Sequence, residues 1–113
     1  MIFIIGTTDD EPRNNGVGDY YTTEAGIDKI VVKNLNDPNQ EKLIFLHEFL
    51  EQWYTQKCGI KEDEIDKWDR EHLEADEPGT LPGSPYKRQH DFSELIERIV
   101  AHELGIEFNG FEK

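Results

Sequence analysis

A histidine and two glutamates stand at 47, 48 and 51 in the stretch IFLHEFLEQW. On a helix, residues four apart lie one above the other, so His47 and Glu51 project together. An imidazole nitrogen and a carboxylate oxygen at that spacing can hold one metal ion, and both are acceptable zinc ligands. Glu48 points about 100° away around the helix. Two ligands do not make a site, and a third has to come from another element. The run RQHDFSELIERIVAHELG offers His90, Glu94 and Glu97, spaced by four and three and therefore on one helical face. That face lies nearly opposite the run's apolar stripe and turns either to a cleft or to water. Glu103 falls within the stripe, where a partly buried carboxylate needs a cation or backbone donors.

The elements that must position these residues are legible in outline. Ile2 to Ile5 is a short apolar run that predicts a strand, and residues 7 to 18 carry turn formers and acids, as an exposed loop does. Tyr20 to Thr23 and Asp28 to Lys33 read as a hairpin turning at Gly26. Asp37 is a helix cap, Pro38 suits the first turn, and Gln40 stands at capping-box spacing. The helical pattern then runs to about Cys58, with Gly59 as its stop. Leu43, Leu46, Leu50, Trp53 and Tyr54 share one face, which puts His47 and Glu51 on its shoulder. A charged helix is expected from Glu62 to Ala75, with Ile65, Trp68 and His72 or Leu73 inward. Residues 76 to 86 hold three prolines and two glycines and predict a rigid loop. A final helix begins near Arg88 to Phe92, capped by Asp91 or Ser93, and ends at Gly105. Its apolar face is Phe92, Leu95, Ile96, Ile99 and Val100. The whole reads as a single α+β domain over 1–113, a small antiparallel sheet or hairpin packed on about three helices.

The balance of charge narrows the partners. With 12 Lys plus Arg against 25 Asp plus Glu, the formal charge is -13. Such a surface repels phosphate backbones and argues against nucleic acid; a cation or a basic protein suits it. A single cysteine, Cys58, excludes a disulfide within the chain and suits a reducing compartment. The apolar start is shorter than a signal-peptide core, and no apolar run approaches the ~20 residues of a spanning helix. A cytoplasmic protein is expected, with no membrane partner.

The stretch KIVVKNLNDPNQEKLIFLHEFLEQWY, residues 29 to 54, resembles the strand, connector and active helix of zincin-like metallopeptidases. Residues 20 to 108 are also similar to small phage and prophage proteins that share an HE-x-x-E helix, an acidic middle helix and an EPG…PY loop. The matching pieces are His47-Glu48 with Glu51, Glu77-Pro78-Gly79, Pro85-Tyr86, His90, Glu97 and Glu103-Leu104-Gly105. The zincin resemblance implies that His47 is a ligand and that Glu48 is the general base taking a proton from water. It implies that Glu51 replaces the second histidine, and that His90 or an acid of the last helix, Glu97 among them, completes the shell. Glutamate in place of histidine adds a negative charge beside the ion and weakens its Lewis acidity.

The expected function is a zinc-dependent hydrolase, or a degenerate zincin-like metallopeptidase, acting on a peptide or amide; the acid-rich shell also admits manganese or iron. The first alternative is a non-catalytic acidic protein of phage type that masks a basic partner. The second is a two-metal carboxylate site, because His47-x-x-x-Glu51 and His90-x-x-x-Glu94 share one spacing. Glu94 and Glu97 have a plainer reading as solvated acids paired with Arg98 and Lys87. His72 reads as a boundary residue, His102 as a cation suited to a helix end, Cys58 as structural, and Asp9, Asp10 and Glu11 as a solvated loop.

Overall fold

A computed structural model describes residues 3–10, 12–13 and 16–109. Three strands, β1 (Phe3–Thr8), β2 (Gly18–Thr22) and β3 (Asp28–Lys33), precede three helices, α1 (Pro38–Lys57), α2 (Glu62–Glu71) and α3 (Lys87–Leu104). A short 3-10 turn, Pro78–Thr80, lies between α2 and α3. The chain is α+β, as expected.

The hairpin forms as read: β2 pairs antiparallel with β3, Tyr20 opposite Ile30, and Gly26 turns the chain at φ 79°. The sheet as a whole is mixed rather than antiparallel, in the order β1-β3-β2. The connector after β1 reverses the chain into β2, and the hairpin reverses it again. β1 and β3 therefore run the same way and pair in parallel on the edge of β3 that the hairpin leaves open. Arg13 ties the connector down through Asp19 (2.6 and 3.0 Å), the Tyr20 carbonyl (3.1 Å) and Asp66 on α2 (3.1 Å). β1 runs three residues further, through Gly6, Thr7 and Thr8, than the sequence suggested, and Ile2 and Glu11 lie outside the described residues.

Asp37 caps α1 by accepting from the Gln40 N–H at 3.3 Å. The reciprocal half of a capping box does not form, because the Gln40 side chain donates to the Glu107 carbonyl (2.6 Å) beyond α3. Gly59 stops α1 at φ 72° and Gly105 stops α3 at φ 67°. α2 ends at Glu71, short of Ala75, with Leu73 exposed. α3 starts at Lys87 with Tyr86 as its cap residue, so neither Asp91 nor Ser93 caps it.

The apolar core is small: Tyr20, Ile30, Val32, Ile44, Ile65 and Tyr86. α1 and α3 pack extensively against each other, but of the face that periodicity marks as apolar on α1 only Leu43 is fully buried, and none of that on α3. Trp53 is 61% exposed and Leu95 and Ile99 are each 54% exposed, while Leu46 and Leu50 are only half-buried. The buried faces are mostly polar: Gln40, His47, Glu48, Glu51, Gln52 and Thr55 beside Leu43 and Ile44 on α1, and Gln89, His90, Ser93 and Glu97 beside Ala101 on α3. Burying so many polar groups is costly unless each meets a partner. Thr55 and Ser93 meet theirs locally, each hydroxyl donating to a carbonyl four residues back (Glu51 and Gln89, 2.8 and 2.7 Å). Being small, Ser93 and Ala101 let the helices approach closely enough for longer side chains to interlock.

Candidate metal centre

Three side chains converge in the seam between α1 and α3. His47 Nε2 lies 3.0 Å from Glu51 Oε2 and 3.3 Å from His90 Nδ1, and His90 Nδ1 lies 3.0 Å from the same Glu51 oxygen. The three atoms form a nearly regular triangle, with the two rings' centroids 4.8 Å apart. A tetrahedral ion with bonds of about 2.1 Å sets its ligand atoms about 3.4 Å apart, so this triangle needs to open by only a few tenths of an ångström. All three residues are buried, Glu51 to 2% exposure.

The far atom of each is braced. His47 Nδ1 lies 2.9 Å from Glu97 Oε1. His90 Nε2 lies 3.3 Å from Glu77 Oε1. Glu51 Oε1 accepts from the Tyr20 hydroxyl at 3.0 Å. A carboxylate behind each imidazole and a donor behind the carboxylate are the partners that fix tautomer and ring orientation in metal sites.

The charges fit a cation. Burial works to lower the pKa of His47, but its hydrogen bonds to Glu51 and Glu97 outweigh burial and hold it well above the usual imidazole value. His90 follows the same pattern, burial overcome chiefly by Glu51, and is also raised. Glu51 would be pushed up by its burial, yet the two imidazoles hold it far below the usual carboxylate range. Burial, then the charges of Glu51 and Glu48, raise the Tyr20 phenol well above its ordinary value and keep it a donor. In the metal-free protein the notch therefore holds protons between anionic oxygen and imidazole nitrogen, which a metal ion would replace.

The residues singled out by spacing are thus brought together at His47, Glu51 and His90. Glu97 reaches the centre too, but at the His47 nitrogen that faces away from the triangle. It braces the ring and does not share an ion bound at Nε2. Glu48 is buried on the β2 side of α1, so tightly that a Cβ on Gly18 would sit 2.9 Å from its Cγ and Oε1. Its charge raises His47, Tyr20 and Tyr86. Glu94 is half-buried, 3.6 Å from Arg98 and hydrogen-bonded to Glu77. Glu103, His102 and Cys58 are exposed and take no part; Glu103 needs no partner after all. His72 stacks on Trp68 and points Nδ1 at that residue's carbonyl (2.7 Å). Asp9 and Asp10 are exposed.

Two contributors carry no metal-site signal of their own in the sequence. Glu77 precedes the 3-10 turn, and Gly79 lets that turn close over the site: a Cβ there would lie 2.7 Å from the Tyr86 ring and 3.0 Å from His90 Cγ. Tyr20 is one of three buried residues of β2. Tyr86 is buried and donates to Asp69, a buried acid one turn after Ile65 on α2. Among the described residues no helix is long and apolar enough to cross a membrane. Comparison with protein-family models, curated proteins and solved structures yields no match.

Proposed function

We propose that the protein binds a divalent transition metal, zinc or alternatively manganese or iron, through His47 Nε2, His90 Nδ1 and Glu51 Oε2. The carrying observation is that three ligand atoms converge while each ligand's other atom is already engaged, by Glu97, Glu77 and Tyr20. A seam made only for stability gains little from buried ion pairs, whose desolvation offsets their attraction; a bound cation would neutralise part of the surplus acid. The activity that suits this centre is hydrolysis of an amide, in a degenerate relative of the zincin-like peptidases. The ion, when bound, supplies Lewis acidity, tempered by the anionic Glu51. Glu48, next to His47 in sequence and three residues before Glu51, is the group that the zincin resemblance makes the acceptor of a proton from water. The burial of His47, Glu51 and His90 favours a small or extended substrate over a folded one.

Metal analysis of tag-free protein tests the binding. At least one transition metal per chain, with that ion lost in His47→Ala, supports it; a metal-free chain after loading overturns it. Turnover of amide substrates abolished by Glu48→Gln, with metal retained, supports the hydrolase. The formal charge of -13 favours a second reading, a non-catalytic protein that covers a basic partner; salt-sensitive capture of a basic protein, unchanged in His47→Ala, would single it out.

A further inference from the structure

We propose that His90 is a bridging ligand, and that its Nε2, together with Glu77 and Glu94, forms a second cation site on the solvent side of the first. This rests on the reading of the first centre as a metal site. The two nitrogens of one imidazole point in diverging directions, and both are committed here. Nδ1 lies in the triangle with His47 and Glu51, while Nε2 faces Glu77 Oε1 at 3.3 Å. One donor atom each from Glu77, His90 and Glu94 lie within 4.8 Å of one another. The ring is buried, with Tyr86 edge-on to it at 6.2 Å and the Gly79 turn closed against its Cγ, so both nitrogens are fixed in direction.

The acids come from independent elements. Glu77 leads into the proline-bearing 3-10 turn, and Glu94 stands one helical turn after His90 on α3. Their side chains are 28% and 22% exposed, so this site meets solvent where the first does not. Two carboxyls held against each other repel when both are ionised, and are reconciled by a proton shared between them or by a cation that takes its place. Arg98 answers only in part: it stands 3.6 Å from Glu94, is more than half exposed, and lies over the Phe108 ring at 4.3 Å. An imidazole nitrogen with two carboxylate oxygens suits zinc, manganese or iron(II), and offers no thiolate for softer ions.

The plainer account makes Glu77 a brace for His90 and gives Glu94 no role, so Glu94 discriminates. The full chain, stripped and then titrated with Zn2+, is followed by native mass spectrometry, and with Cu2+ by electron paramagnetic resonance. Two ions per chain are expected in the parent, and one in Glu94→Gln and Glu77→Gln. Two Cu2+ ions sharing one imidazolate couple, so the signal grows over the first equivalent and falls over the second; in Glu94→Gln it grows and stays. One ion in the parent, lost in His47→Ala and untouched in Glu94→Gln, overturns the second site and leaves the first. Two ions with simply additive signals overturn the bridge. No ion in any of the proteins sinks both readings. Glu94 is not fully buried, and an unchanged near-ultraviolet circular dichroism spectrum confirms that Glu94→Gln folds as the parent does.

Discussion

His47 joins α1 to α3 through both ends of one ring: Nδ1 meets Glu97 at 2.9 Å, and Nε2 faces His90 Nδ1 at 3.3 Å. Glu97 therefore decides which nitrogen of His47 is left to bind. Glu97→Ala is expected to weaken metal affinity by about 10- to 100-fold, the usual cost of losing such a partner. Glu97→Gln, which keeps an acceptor oxygen but no charge, should weaken it less. Competition with a chelator of known affinity measures both, and equal affinities in all three proteins would show that Glu97 orients nothing.

The same network sets a pH dependence with two opposite signs. His47 and His90 have pKa values raised above 6.5, so their contribution to metal-free stability is complete below that pH. It is lost as pH climbs through the raised values. Glu51 lies below 4.5, so its contribution is complete above that pH and is lost only as pH falls through its lowered value. The metal-free chain should be most stable between these limits and weaken from neutral into alkaline conditions. Metal competes with the same protons, so added Zn2+ should stabilise more as pH rises. Urea midpoints at pH 5.5, 7.0 and 8.5, with chelator and with metal, test this; a metal-free midpoint that rises across that series would contradict it.

Two glycines separate the scaffold from the centre. Gly79→Ala places a Cβ 2.7 Å from Tyr86 Cε2 and 3.0 Å from His90 Cγ. It should cost about 1–3 kcal/mol of stability, the usual penalty of overpacking, and lower metal affinity by displacing the ring. Gly18→Ala meets Ile44 Cγ2 at 2.8 Å and Glu48 at 2.9 Å. A similar loss of stability is expected there, with metal affinity near that of the parent because Glu48 is not a ligand. Denaturation and metal titration of the two variants side by side would expose any error in this division.

The exposed stripe of α3 makes a prediction that inverts the one drawn from periodicity. Leu95→Lys and Ile99→Lys should change stability by about 0.5 kcal/mol or less, as surface substitutions do. Ser93→Leu, at a fully buried position on the opposite face, should cost about 1–3 kcal/mol by forcing α1 and α3 apart. Losses of several kcal/mol in the lysine variants, seen in urea unfolding, would mean that the helix packs the other way round.

These helices also show what the sequence could and could not tell. Local signals translated directly. Asp37, Pro38 and Gly59 bounded α1, Gly105 ended α3, and Gly26 turned the hairpin, because capping and left-handed backbone are decided within a few residues. The convergence of His47, Glu51 and His90 followed from helical spacing once α1 and α3 were set side by side. Periodicity misled on orientation. It assumes that grease goes inside, whereas Leu95 and Ile99 face out while His47, Glu51, His90 and Glu97 pair among themselves. Glu77 and Tyr20 were unreadable for a different reason: each reaches the site from a distant element, and nothing local to either residue records the meeting. The parallel placement of β1 likewise depends on which edge of β3 remained free.

The inward turn of His47, Glu51, His90 and Glu97 bears on how long such a molecule survives. Starved of its ion in alkaline surroundings, the junction of the two longest helices would be left with clustered acids and few apolar atoms to hold it shut. A protease would then find the chain open. On this reading the amount of intact protein in a cell tracks the supply of the cation.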